Sequence, residues 1–146
     1  MKKSSVFKSI LTATMSLAVF HTVYIVVCYV LLLLISLLGS IPLIGNFLNL
    51  LFKLRGDTPL LFSAIVGTVT GYFLLKLVAE AVVKNASTIN QSYKIYGVIH
   101  ILLYAISFVF NIINYDGTNG TNFIICIIQI ITGIIIFNSK VDSTDT

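Results

Sequence analysis

The polar residues that could do chemistry in this chain lie inside long apolar segments and recur every three or four residues. The clearest stripe begins at Gly97 and continues through His100, Tyr104, Ser107, Asn111 and Asn114. Two other apolar segments carry similar stripes, which comprise Thr14, His21, Tyr24 and Cys28 in the first and Cys126, Gln129 and Gly133 in the last. Steps of three and four residues place side chains on one helix face about 100° wide. We therefore expect these polar faces to meet.

Two interpretations of the polar stripe differ in what it does. In the functional interpretation, it lines a path or pocket for an ion or small solute along the axis of a helix bundle. In the structural interpretation, its side chains form hydrogen bonds between helices, each contributing about 0.6–2 kcal/mol. No Asp or Glu lies in the middle of any apolar segment, whereas proton pumps and cation carriers generally need an intramembrane carboxylate. The sequence therefore favours the structural interpretation.

Known catalytic and metal-binding patterns are missing from the sequence. The chain resembles the small four-span multidrug exporters in length and topology, but their essential glutamate in the first span has no counterpart here. No GxSxG, Walker or dinucleotide-binding glycine pattern occurs. His21 and His100 have no clustered carboxylate or thiolate, and Cys28 and Cys126 show no ligand spacing. We expect no catalytic residue, no metal and no cofactor.

A series of small residues marks a face for close helix packing. Ser63, Gly67 and Gly71 follow one another at every fourth position. Small side chains at this spacing let two helix backbones approach closely, which is a frequent device in membrane helices. The pattern predicts a helix contact, either with a second copy of the chain or with another helix of the same chain.

Lys76 and Glu80 form a charged pair four residues apart in the same segment. The pair could act as a charged gate near His100. Alternatively, the apolar core of the span ends at Leu75, and Lys76 extends to the membrane surface and pairs with Glu80. We expect the second arrangement.

The elements that must position these residues are membrane-spanning helices. The chain is 58% hydrophobic and 10% charged, whereas soluble domains carry roughly 25% charged residues. Apolar helices of about 20 residues cross a hydrocarbon core about 30 Å thick. Residues 1–146 are predicted to form a single all-α membrane domain, with spans at about residues 9–38, 60–83, 95–113 and 123–137 and a hydrophilic connection at residues 84–94. The first span exceeds one perpendicular crossing, so it must tilt or project from the bilayer.

A short amphipathic segment follows the first span. Residues 41–54 are too few to cross the membrane, and their polar and apolar side chains separate to two sides of a helix. The polar side carries Asn46, Asn49 and Lys53, and the apolar side carries Ile44, Phe47, Leu48 and Leu51. This pattern is typical of a helix lying in the membrane interface. A re-entrant hairpin is the alternative.

The basic residues predict the orientation of the chain. Loops on the cytoplasmic side of a membrane protein carry an excess of Lys and Arg. One side would hold the basic residues Lys2, Lys3, Lys8, Lys76, Lys84, Lys94 and Lys140, and the other side only Lys53 and Arg55. Both termini are therefore predicted to be cytoplasmic.

The expected function is that of an interaction protein. The connections are too short for a soluble domain, so the chain would act through helix contacts as a subunit, accessory or immunity-type partner of another membrane protein. The expected partners are the lipid bilayer and another membrane protein or a second copy, and no nucleic acid. A channel or small-solute transporter is the alternative, and a holin-like lesion-former is the next.

The predicted orientation can be tested by cysteine labelling in a background that lacks Cys28 and Cys126. Asn90→Cys should be shielded from an impermeant thiol reagent in intact cells, whereas Thr118→Cys should react, because the two loops lie on opposite sides. Permeabilised cells provide the control in which both react. Labelling at residue 90 in intact cells would reverse the orientation.

Overall fold

The protein is an all-α bundle with four candidate membrane spans, as the sequence predicts. The computed structural model describes residues 2–52, 57–83, 85–115, 117 and 120–141. It contains five helices: α1 (Lys2–Gly39), α2 (Pro42–Phe52), α3 (Thr58–Val82), α4 (Ala86–Ile113) and α5 (Gly120–Asn138). Helices α1, α3, α4 and α5 are long and apolar enough to cross a membrane. The described residues contain no β-strand.

The prediction of a hydrophilic connection over residues 84–94 is wrong, because nearly all of it is helical. Helix α4 begins at Ala86 rather than at Ile95. The preceding residue, Asn85, has extended backbone, and its side chain accepts a hydrogen bond from the N–H of Thr88 at 3.2 Å. This is the geometry of an N-cap, which satisfies one of the unpaired amides of the first turn.

The polar start of α4 is helical because it packs against the rest of the bundle. Thr88, Ile89 and Ser92 are buried, and the Ser9 hydroxyl on α1 donates to Gln91 Oε1 at 3.0 Å. Burial against a neighbouring helix stabilises a segment whose polar composition suggests a loop. The polar stretch is therefore an extension of the bundle beyond the apolar part of α4.

The four long helices form a ring in the order α1, α3, α5, α4, in which each packs against the next. Hydrogen bonds join the start of α1 to the start of α4, and the Tyr72 hydroxyl of α3 to the Ser139 hydroxyl after α5 at 3.1 Å. We call this end, which carries Lys8, Lys76, Lys94 and Lys140, the basic end. At the opposite end, the Thr121 hydroxyl donates to Asp57 Oδ2 at 2.6 Å. Of the other basic residues used to predict the orientation, Lys53, Arg55 and Lys84 lie outside the described residues.

Helix α2 is amphipathic and folds back against the end of α1. The N–H of Gly45 donates to the carbonyl of Ile41 at 2.6 Å. A side chain at Gly45 would collide with the carbonyl oxygen of Gly39, so the glycine allows α2 to approach α1 closely. Leu43, Phe47 and Leu50 are exposed on the outer face of α2. Ile44 and Leu48, which the sequence places on the same apolar side as Phe47, are half-buried instead. Only part of the predicted apolar side is therefore available to a membrane interface, and the predicted residues 53–54 lie outside the described part of the chain.

Helices α4 and α5 come into close backbone contact at Gly97 and Gly133. A Cβ atom at Gly97 would lie 2.8 Å from the carbonyl oxygen of Gly133 and 2.7 Å from the Cβ of Phe137. A Cβ at Gly133 would lie 2.7 Å from Cγ1 of Ile101. Such small-residue contacts let helices pack where lipid provides no hydrophobic force between them.

Gly97→Ala should therefore push α4 away from α5. The obstructing atoms belong to backbone as well as to side chain, so we expect a loss of about 1–3 kcal/mol in unfolding free energy and a lower melting midpoint in detergent. Gly120→Ala is the matched control, because a Cβ at Gly120 meets no atom within 4 Å. Equal midpoints for the two variants would contradict the close contact.

Candidate functional site

The centre of the bundle contains a chain of hydrogen-bonded side chains from three helices, which we call the buried polar chain. The Tyr96 hydroxyl lies 3.2 Å from His100 Nδ1, and His100 Nε2 lies 3.2 Å from Gln129 Oε1. Gln129 Nε2 donates to the Thr68 hydroxyl at 2.7 Å, and that hydroxyl donates to the carbonyl of Ala64 at 2.7 Å. Tyr96, His100 and Gln129 are fully buried. The chain thereby ties α4 to α5 and α5 to α3.

The directions of the hydrogen bonds as far as His100 follow from the carbonyl of Ala64 at the end of the chain. A carbonyl only accepts, so the Thr68 hydroxyl donates to it and accepts from the amide of Gln129. Gln129 Oε1 then accepts from His100 Nε2–H, and with a neutral imidazole His100 Nδ1 accepts from the Tyr96 hydroxyl. This order describes a neutral imidazole with both ring nitrogens occupied. A neutral, fully directed chain needs no counter-ion in the membrane interior.

Aromatic rings from α1 and α4 enclose His100. The ring of Phe20 meets the imidazole edge-on with centroids 5.0 Å apart, and Tyr104 lies 4.8 Å away. The imidazole of His21 lies 5.6 Å from that of His100 and stacks on Tyr104 at 6.1 Å. Tyr24 stacks on Phe20 at 6.3 Å. The structure thus brings together His21, Tyr24, His100, Tyr104 and Gln129, which the sequence places on facing stripes.

The outer half of the predicted stripe does not join this cluster. The Ser107 hydroxyl donates to the carbonyl of Leu103 at 3.0 Å, and the Asn114 amide donates to that of Phe110 at 2.9 Å. Both side chains are exposed. Short polar side chains can bond to a carbonyl one turn earlier in their own helix, so helical spacing alone does not determine their partners.

Asn111 has an intermediate position between the two halves of the stripe. Its amide nitrogen donates to the carbonyl of Ser107 at 2.9 Å and also lies 3.7 Å from the sulfur of Cys126 on α5. Asn111 is half-buried, whereas Cys126 is buried. The contact confirms that Asn111 faces α5, but the bond within its own helix is the shorter one. Cys126 and Cys28 are both free thiols.

The small-residue face of α3 packs against α1 of the same chain. A Cβ at Gly67 would lie 3.0 Å from the sulfur of Cys28, and one at Gly71 would lie 3.0 Å from the ring of Phe20. Ser63 is fully buried, and its carbonyl accepts from the Cys28 thiol at 3.3 Å. Of the two predicted uses of this face, the structure shows packing within the chain, so α1 already covers the face that a second copy would need.

Helix α1 carries a second small-residue face that the predicted stripes do not include. Ser9, Thr12, Ala13 and Ser16 are buried, and Phe20 continues the same face at the centre of the bundle. Their spacing of three and four residues is the sequence pattern that could have identified this face. Small residues at these positions allow α1 to pack closely in the ring.

Lys76 and Glu80 form an ion pair on the surface of the bundle. Lys76 Nζ lies 4.0 Å from Glu80 Oε1, and the two side chains are 45% and 38% exposed. Exposed pairs at this spacing contribute about 0.3–0.5 kcal/mol. The exposure agrees with the interface interpretation rather than with a gate beside His100.

Within the described residues, no three His, Cys, Asp or Glu side chains come together as metal ligands do. The closest approach of potential ligands in the cluster is that of His21 and His100. His21 Nδ1 donates to the carbonyl of Leu17 at 3.0 Å, and both nitrogens of His100 already have partners. The arrangement is suited to holding helices together.

Gln129→Leu tests that role, because it removes the residue that links three helices. His100 Nε2 and the Thr68 hydroxyl would lose their interhelical partner in an apolar interior, so we expect a loss of about 1–3 kcal/mol in unfolding free energy. Asn111→Leu should cost less, because Asn111 is half-buried and bonds mainly within α4. The measurement is the melting midpoint of the purified protein in detergent.

Ser107→Ala is the matched control, since its hydroxyl is exposed and bonds only within α4. A melting midpoint for Gln129→Leu equal to that of the control would contradict a structural role. A cysteine at Tyr104 that reacts with a water-soluble thiol reagent in the bilayer would instead indicate a hydrated path.

Known proteins provide no template for this arrangement. Neither protein-family models, nor curated proteins, nor solved structures give a match to the chain. The contacts of its own residues therefore carry the functional inference.

Proposed function

We propose that the chain is a subunit, accessory or immunity-type partner of another membrane protein and acts through helix–helix contacts. The observation that carries this proposal is the outer part of α1, which the bundle covers only partly. None of the 18 residues in its most apolar stretch is buried, whereas 17–33% of the corresponding stretches of the other three spans are. That surface is open to a partner helix.

The length of α1 favours a protein partner over lipid alone. Ser9 bonds to Gln91 and Phe20 contacts His100, so the end of α4 at Ile113 lies level with about Leu33 of α1. Helix α1 continues to Gly39, about 9 Å further at 1.5 Å per residue. Lipid tails cover only about 30 Å of a spanning helix. In an untilted α1, the last turn therefore carries apolar surface beyond the hydrocarbon.

Helix α2 covers only part of this extension. Leu34, Leu37 and Leu38 on α1 remain exposed, at 44%, 58% and 42% of their surface. The apolar face of α2 adds further exposed surface at the same end. Apolar surface that hydrocarbon does not cover is a candidate interaction site, and a transmembrane or interfacial helix of another protein has the chemistry to cover it.

The interior of the bundle supports the same proposal. Its central polar groups bond to one another as neutral groups, and its small-residue faces are used within the chain. These interactions hold the bundle together and leave its outer surface for partners. We further propose that both termini are cytoplasmic, which the lysines at the basic end support.

Site-specific photo-crosslinking in the native membrane tests the proposal. A photoreactive residue at Leu37 should give a discrete protein adduct, because a partner helix would cover that position. The same residue at Ile106, which is 67% exposed on α4, is the control and should react only with lipid. Mass spectrometry after purification in mild detergent identifies the partner, and an adduct of twice the chain mass would identify it as a second copy.

The crosslink should also depend on the chemistry of the surface. Leu33→Asn, one turn before Leu37 on the same helix, should reduce the adduct several-fold, while Val109→Asn on α4 should not. Lipid adducts alone at Leu37, or equal protein adducts at both probe positions, would contradict the proposal.

A further inference from the structure

A polar cavity opens at the basic end of the bundle, away from the buried polar chain. Its volume is about 620 Å³, and it lies between the first turns of α4 and the segment that follows α5. Its polar lining comprises Ser87, Asn90, Gln91, Lys94 and Lys140. The cavity is therefore lined by residues that bear hydroxyl, amide and ammonium groups, and these residues come from two separate parts of the chain.

Asn90 fixes the wall of this cavity with two hydrogen bonds. The backbone N–H of Val141 donates to Asn90 Oδ1 at 2.7 Å, and Asn90 Nδ2 donates to the carbonyl of Val141 at 3.1 Å. The pair holds the backbone beside Lys140 against α4. Two lysines that lie 46 positions apart in the sequence consequently line the same cavity.

The described residues that line the cavity carry positive charge. None of the described lining residues is Asp or Glu, and in the described part of the chain the one ion pair is Lys76–Glu80, on α3. Two ammonium groups on one cavity favour an anion with several acceptor oxygens. Lysine is a common ligand of phosphate, which it binds as a point charge.

The position of the cavity narrows the choice of anion. Lys94 immediately precedes the apolar part of α4, which begins at Ile95. If α4 crosses the bilayer, that boundary lies at the level of the lipid headgroups. Clusters of lysine at this level recognise anionic lipid headgroups, and each lysine contributes about fivefold to affinity.

We propose that this cavity binds a phosphate group through Lys94 and Lys140, with Asn90 positioning the wall that carries Lys140. The phosphate belongs either to the headgroup of an anionic phospholipid or to a soluble phosphate compound. Ser87 adds a hydroxyl donor to the lining. The site is separate from the apolar surface of α1 and does not depend on the proposed partner.

Thermal stability of the purified full chain in detergent tests the site in two arms. One arm adds short-chain phosphatidylglycerol, with short-chain phosphatidylcholine as the reference lipid, and the other adds inorganic phosphate. Binding should raise the melting midpoint in a saturable way. A rise with phosphatidylglycerol alone identifies a lipid headgroup, and a rise with inorganic phosphate identifies a soluble source.

Variants distinguish binding in the cavity from attraction to the general positive charge of this end. Lys94→Gln combined with Lys140→Gln should weaken binding about thirtyfold, and each single change about fivefold. Lys8→Gln removes an equal charge from the same end outside the cavity and should leave binding unchanged. Asn90→Leu should weaken binding while both lysines remain. The proposal is overturned if neither ligand raises the midpoint, or if the double variant binds as tightly as Lys8→Gln.

Discussion

Lipid tails are as apolar as leucine, so no solvent force presses these helices together, and the bundle depends on contacts that lipid cannot make. The protein supplies two kinds of contact. Glycines, which have no side chain, lie where backbones meet: Gly67 and Gly71 against α1, and Gly97 and Gly133 between α4 and α5. Gln129 adds a hydrogen-bonded link to two other helices at once. The remaining surface can therefore be almost entirely Ile, Leu, Val and Phe without losing a defined fold.

Much of the fold follows from the sequence because membrane thickness sets the length of a spanning helix. The start of α4 does not, because residues 86–94 are polar and become helical only through burial against α1 and the segment after α5. In the candidate site, helical spacing identifies His100 and Gln129. It cannot distinguish them from Ser107 and Asn114, which have the same spacing but bond within α4. Thr68 and Tyr96 complete the buried polar chain. No sequence pattern indicates the partners to which their hydroxyl groups bond.

The two ends of the bundle differ in chemistry, and this difference separates the two proposed activities. The basic end holds hydroxyl, amide and ammonium groups around a cavity, which suits a small anion. At the opposite end, α1 extends beyond the neighbouring helices, and α2 folds back against it with leucines exposed. This end suits a large apolar partner. The core between them contains no carboxylate among the described residues.

The buried polar chain also has a consequence for the order in which the molecule is made. Before α5 is synthesised, the Thr68 hydroxyl already bonds to Ala64 and the Tyr96 hydroxyl to His100, in each case within one helix and four residues apart. Local bonds of this kind let α3 and α4 enter the bilayer with few polar groups left unsatisfied. Gln129 leaves the ribosome last among these residues and joins two helices that are already in place. Completion of the polar core therefore requires α5, and a nascent chain truncated before Gln129 lacks the link between the other helices.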